Sequence, residues 1–113
     1  MSGCFDNAGS FNQTLAWDSS NVTDMSYAFK AAGDFNHPLA WDLSSVTNMN
    51  DMLREASLFD ANLNAWDVSR VSQMGHTFRS SSVFNGDISE WDTSKVYSFS
   101  HTFCSAENFN ADL

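Results

Sequence analysis

Residues 35–58 read FNHPLAWDLSSVTNMNDMLREASL, and the chain writes that sentence four times. The copy before it is FNQTLAWDSSNVTDMSYAFKAAGD (11–34). The copies after it are FDANLNAWDVSRVSQMGHTFRSSSV (59–83) and FNGDISEWDTSKVYSFSHTFCSAEN (84–108). MSGCFDNAGS (1–10) matches the back half of a copy, with Met1 aligned to Met25, and FNADL (109–113) opens another. A period of 24–25 residues marks a stacked repeat architecture, in which one copy alone cannot bury its apolar face. The expected organisation is a single repeat solenoid over 1–113: a half repeat 1–10, full repeats 11–34, 35–58, 59–83 and 84–108, and a partial repeat 109–113. Function is then sought in columns of equivalent residues.

Each copy divides in two. The stretch from the Leu15 column through Trp-Asp-x-Ser alternates large apolar and polar residues, which suits a short strand. The second half starts at Val22, Val46, Val71 and Val96. Met25, Met49, Met74 and Phe99 follow three residues on, and Phe29, Leu53, Phe78 and Phe103 four further. Those offsets predict one face of a short helix, with Thr23, Thr47 and Ser72 as N-caps. Ala8, Ala32, Ala56, Ser81 and Ala106 would allow close approach of neighbouring repeats. So short a helix is unstable alone, so its apolar face must pack on the next repeat. The expected core is Phe11, Phe35, Phe59 and Phe84, with Phe109, then Trp17, Trp41, Trp66 and Trp91, and Phe29, Phe78 and Phe103. From Leu or Ile to Trp is two residues in the first two full copies and three in the last two, which predicts a bulge or a longer entry turn there.

F-N-x-x-L-x-x-W-D-x-S-x-V-T-x-M-x-x-x-F-x-x-A resembles the bacterial surface-protein repeat of roughly 26 residues. That repeat occurs in mycoplasma lipoproteins and many wall-anchored proteins and is related to BspA-type leucine-rich repeats. The resemblance spans nearly the whole chain. It implies an α/β solenoid, a leucine-rich-repeat-like right-handed coil with a parallel sheet on one face and short helices on the other. It also implies an extracellular or cell-surface location and adhesion or protein binding, and it carries over no catalytic residues.

A formal charge of −9 makes nucleic acid an unsuitable partner. No apolar run is long enough to insert in a membrane, and 1–10 lacks the basic start and apolar stretch of a secretory signal. No nucleophile elbow, phosphate loop or dinucleotide motif is present, so no enzyme is expected. The partner expected is a protein or further copies of the same chain, stacked head to tail into a filament.

Four columns bear on chemistry. Asp18, Asp42, Asp67 and Asp92 are each followed two residues later by a serine. They read first as turn carboxylates bonding local amides, and they are the candidate binding surface. The alternative is a row collecting Ca²⁺, which would be the one cofactor. Asn12, Asn36, Asp60, Asn85 and Asn110 read as a structural ladder. His76 and His101 are equivalent, but structural zinc wants four ligands, so no metal is assigned. Lys30, Arg54 and Arg79 share a column with Cys104. Cys4 and Cys104 are four repeats apart, roughly 19 Å at about 4.8 Å per step, too far for an internal disulfide. They are the candidate intermolecular thiols. Asn12 and Asn21 begin glycosylation sequons, of which Asn21 reads as the accessible one.

Overall fold

The computed structural model describes residues 1–110. The repeats stack in register as layers, but the expected α/β solenoid is not formed. Among the described residues there is no helix and no sheet, only single parallel bridges linking Asp24 to Asn48, Asn48 to Gln73 and Gln73 to Ser98. The layers pack into a unit of 33 × 31 × 20 Å with a radius of gyration of 12.5 Å. A globular chain of this length has about 13 Å.

Where a short helix is expected, each layer makes two tandem turns. The amide of Ala28 donates to the Met25 carbonyl (3.2 Å) and that of Ala32 to Phe29 (3.1 Å). The third residue of each turn, Tyr27 (φ 58) and Ala31 (φ 56), is left-handed, as such turns require. Asp51 and Glu55, His76 and Ser80, and His101 and Ser105 repeat the geometry, and Gly3 and Asn7 begin it. Left-handed corners every four residues are incompatible with a right-handed helix, and this overturns the helical row. Thr47 and Ser72 cap nothing: their hydroxyls donate to the carbonyls of Thr23 and Thr47 in the preceding layer.

The amides alternate in destination. Met25, Tyr27, Phe29 and Ala31 donate to Asn48, Asn50, Met52 and Arg54 of the next layer, at 3.0, 3.0, 2.8 and 2.7 Å. Ala28, Lys30 and Ala32 donate within their own layer to Met25, Tyr27 and Phe29, and Ser26 to the Asp24 carboxylate. The segment thus satisfies every backbone donor without helix or sheet. The strand expected around Trp-Asp-x-Ser is also absent, because the chain turns again at each Asp-x-Ser and no main-chain pairing runs across layers there.

Side chains supply those cross-layer links instead. Trp41, Trp66 and Trp91 donate their indole N–H to the carbonyls of Leu15, Leu39 and Leu63 in the layer before, at 3.1, 2.8 and 2.9 Å. The extra residue before Trp66 and Trp91 closes a turn, their amides donating to the carbonyls of Leu63 and Ile88. Phe11, Phe35, Phe59, Phe84 and Phe109 form one stack, 5.8–6.1 Å between successive rings. Phe29 lies 4.4 Å from Phe35, and Phe78 lies 4.2 Å from Phe84. Leu43 and Val68 join this core; their column carries Ser19 and Thr93 in the outer copies, which hid it in the sequence.

Candidate functional site

The aspartate row is a row of turns. The amides of Ser20, Ser44, Ser69 and Ser94 donate to the carboxylates of Asp18, Asp42, Asp67 and Asp92 at 2.9–3.0 Å. The serine hydroxyl, then its amide, holds each carboxyl below its ordinary value of 3.8. All four side chains are exposed. The neighbouring charges of Asp18 and Asp67 act on Asp42 in the opposite sense but more weakly. Among the described residues no group of three or more His, Cys, Asp or Glu side chains is arranged to hold a metal ion.

The asparagine column links layers. Asn12 Oδ1 accepts the amide of Asn36, Asn36 that of Asp60, Asp60 that of Asn85 and Asn85 that of Asn110, at 2.7–3.1 Å. Each side chain thereby replaces the main-chain ladder that this half of the layer lacks.

A third row runs along the tandem turns. The left-handed corner and the residue three beyond it stand together on the outside of each layer, and the pair changes chemistry from copy to copy. Lys30 lies over the Tyr27 ring at 5.6 Å. Arg54 bonds Asp51 at 3.2 Å and Glu55 at 3.0 Å; Asp51 is nearly covered. Arg79 Nη1 lies 3.3 Å from His76 Nδ1, and the His76 ring stacks on that of His101 at 5.1 Å. Cys104 completes the row and is exposed. The sequence shows these residues as two separate columns three positions apart.

The ends of the stack differ from its middle. Phe35, Phe59 and Phe84 are fully buried, whereas Phe5, Phe11, Phe103 and Phe109 are only partly covered. At the C-terminal end an apolar cleft of about 590 Å³ is lined chiefly by Met74, Ile88, Trp91, Phe99, His101 and Phe103. Phe99 is 48% exposed where its equivalents Met25, Met49 and Met74 are buried. Cys4 and Cys104 are both free and exposed, at opposite ends of the stack. Asn21 is exposed. Among the described residues no helix is long and apolar enough to cross a membrane.

A family model described as a Mycoplasma protein of unknown function, DUF285, matches residues 1–40 and 39–113, which together span the chain. Neither curated proteins nor solved structures yield a match.

Proposed function

The chain belongs to the DUF285 family of Mycoplasma proteins of unknown function, and from that premise we propose that it is a non-catalytic, surface-displayed repeat module that binds a protein partner. One observation carries the reading: a constant backbone frame presents a variable outward row. Tyr27 with Lys30, Asp51 with Arg54, His76 with Arg79 and His101 with Cys104 occupy the same two positions with four different chemistries. A rigid scaffold whose decoration changes without its fold is how binding surfaces are tuned. Lys30, Arg54 and Arg79 are three of the chain's five cations, set in a molecule of formal charge −9. Such a strip selects a carboxylate-bearing segment of a partner. The aspartate row is assigned to the fold rather than to the partner, since each carboxylate is already engaged by its serine.

Extracellular or cell-surface display is part of this proposal and rests on the likeness of the repeat to surface-protein repeats. A kinship with BspA-type repeats is inferred from the W-D-x-S-x-V motif alone and says nothing about architecture. The test is selection of a peptide-display library on the immobilised chain, counter-screened on the Lys30→Glu/Arg79→Glu variant. The expected winners are acidic and lose at least about tenfold in affinity on the variant. Winners without acidic bias, or winners that the variant binds equally, overturn the reading.

A further inference from the structure

The geometry points to an α-helix as the form of the partner segment that the outward row binds, lying along the stack with carboxylates at i and i+7 and a basic residue between them. This deepens the proposed reading and rests on it. The stretch between the two left-handed corners alternates in charge over three successive inner layers. Tyr27–Ala31 holds one positive charge, on Lys30. Asp51–Glu55 holds a net negative one, since Arg54 is set against two carboxylates. His76–Ser80 again holds one positive charge, on Arg79, with His76 counted as neutral. Each of these layers has a further layer on both sides, so the pattern belongs to the body of the stack.

The charged groups are held over their own layers. Lys30 Nζ lies over the Tyr27 ring at 5.6 Å, and Arg79 Nη1 is 3.3 Å from His76 Nδ1. In the middle layer Arg54 is engaged twice, through Nη1 by Asp51 at 3.2 Å and through Nε by Glu55 at 3.0 Å. Its charge is spent inside the layer, and the exposed Glu55 carries the surplus carboxylate outward. The row therefore reads positive, negative, positive at the spacing of the layers.

That spacing selects the partner's backbone. The amide of Ala31 donates to the carbonyl of Arg54 at 2.7 Å and that of Glu55 to Arg79 at 2.8 Å. Layers joined in this way step by about 4.8 Å, which places the two cationic layers about 10 Å apart. An α-helix rises about 1.5 Å per residue, so i and i+7 share a face about 10.5 Å apart with i+3 and i+4 between them. An extended strand repeats a face about every 6.7 Å, so its side chains fall near 6.7 and 13 Å and miss the second cation. A helix bearing acid, base and acid at i, i+3 and i+7 meets every layer with the opposite sign, in either direction, and this is the spacing at which surfaces read a docked helix.

Fluorescence anisotropy at low salt tests the inference with three labelled alanine-based peptides. The first two are held helical by a cross-link on the face away from the charges, because short helices are unstable alone. The first carries Glu at i and i+7 and Lys at i+3. The second exchanges the residues at i+3 and i+7, so its net charge is the same and the chain's formal −9 acts on both alike. The third keeps the first order but has no cross-link and a central proline, which breaks the helix. The first is expected to bind at least about fivefold more tightly than either of the others. Glu55→Lys is expected to erase the preference between the first two, since each then meets two layers of opposite sign and one of like sign. Equal binding of the first two overturns the register, and equal binding of the third overturns the helix. In either case the acidic-partner reading stands if Lys30→Glu/Arg79→Glu loses the peptides, and falls with the inference if that variant binds them unchanged. No binding of any peptide up to about 1 mM also overturns the inference. Thermal melts establish that the variants are folded.

Discussion

Met25–Ala32 and Phe35–Ser44 meet their neighbouring layers in opposite ways. The first segment passes four amides directly to the carbonyls of the layer above, and any side chain is compatible with that. The second has no main-chain bond across layers; Asn36, Trp41 and the phenylalanine stack make the connection. The contrast explains which letters of the repeat stay fixed within this chain. Phe, Trp and the Asn or Asp that follows each Phe of the stack recur because their side chains fasten one layer to the next. The Asp of Trp-Asp-x-Ser recurs because it closes its own turn, and Tyr27, Asp51, His76 and His101 vary because the ladder uses only their backbone. Binding chemistry accordingly has room in the first segment and little in the second.

The contrast breaks most visibly at the centre of the phenylalanine stack. Phe59 is fully buried between Phe35 and Phe84, so Phe59→Ala is expected to lose about 3–5 kcal/mol in urea titration. That is a large share of a typical domain stability of about 5–15 kcal/mol. Survival with a loss under about 1 kcal/mol would show that the main-chain ladder alone holds the layers.

A finer cut separates the ring from its hydrogen bond. Trp66→Phe keeps an aromatic ring but leaves the Leu39 carbonyl, buried beside it, without its donor. The expected cost is about 1–3 kcal/mol. Trp17→Phe is the control: that ring is 47% exposed, and its replacement is expected to be near neutral. Equal effects at the two positions would remove the indole bond from the account.

The smallest effect is in acid. The carboxyls of Asp18, Asp42, Asp67 and Asp92 titrate below 3.8 in the folded chain because serine hydroxyls and amides bond the charged form. A depressed folded pKa contributes stability that is present above the unfolded value and lost as pH falls through the folded one. Denaturation midpoints should therefore begin to fall with these groups as pH approaches about 3.8 and continue to fall below it, and the fourfold Asp→Asn variant should flatten the acid limb. An acid limb unchanged in that variant would contradict the assignment.

The period, the inward phenylalanine and tryptophan columns and the recurring Asn were legible in the sequence, because each is a side-chain role repeated in every layer, Asp60 serving as its Asn equivalents do. The helix was not excluded by the same reading, for a physical reason. Met25, Ala28, Phe29 and Ala32 face inward at i, i+3, i+4 and i+7, the spacing of an amphipathic helix. Two tandem turns of four residues place inward side chains at the same positions. Only the sign of φ at Tyr27 and Ala31 separates the two, and glycine, the usual marker of such corners, stands at one of them alone, Gly3. Alternation at Leu39, Trp41 and Leu43 was real, since all three are buried, but the turn at Asp42 leaves no run of backbone to pair. The variable outward row was legible only as two separate columns.

Ala31→Gly tests the tandem-turn backbone most directly. Ala31 sits at φ 56 and donates its amide to Arg54 in the next layer, which glycine leaves intact. An L-residue in the left-handed region carries a penalty of roughly 1–2 kcal/mol that glycine lacks, against a glycine entropy cost of about 0.5–1 kcal/mol. The turn account predicts that thermal and urea midpoints rise or hold. A helical segment would lose about 1 kcal/mol to the same substitution, and a loss of that size would contradict the account.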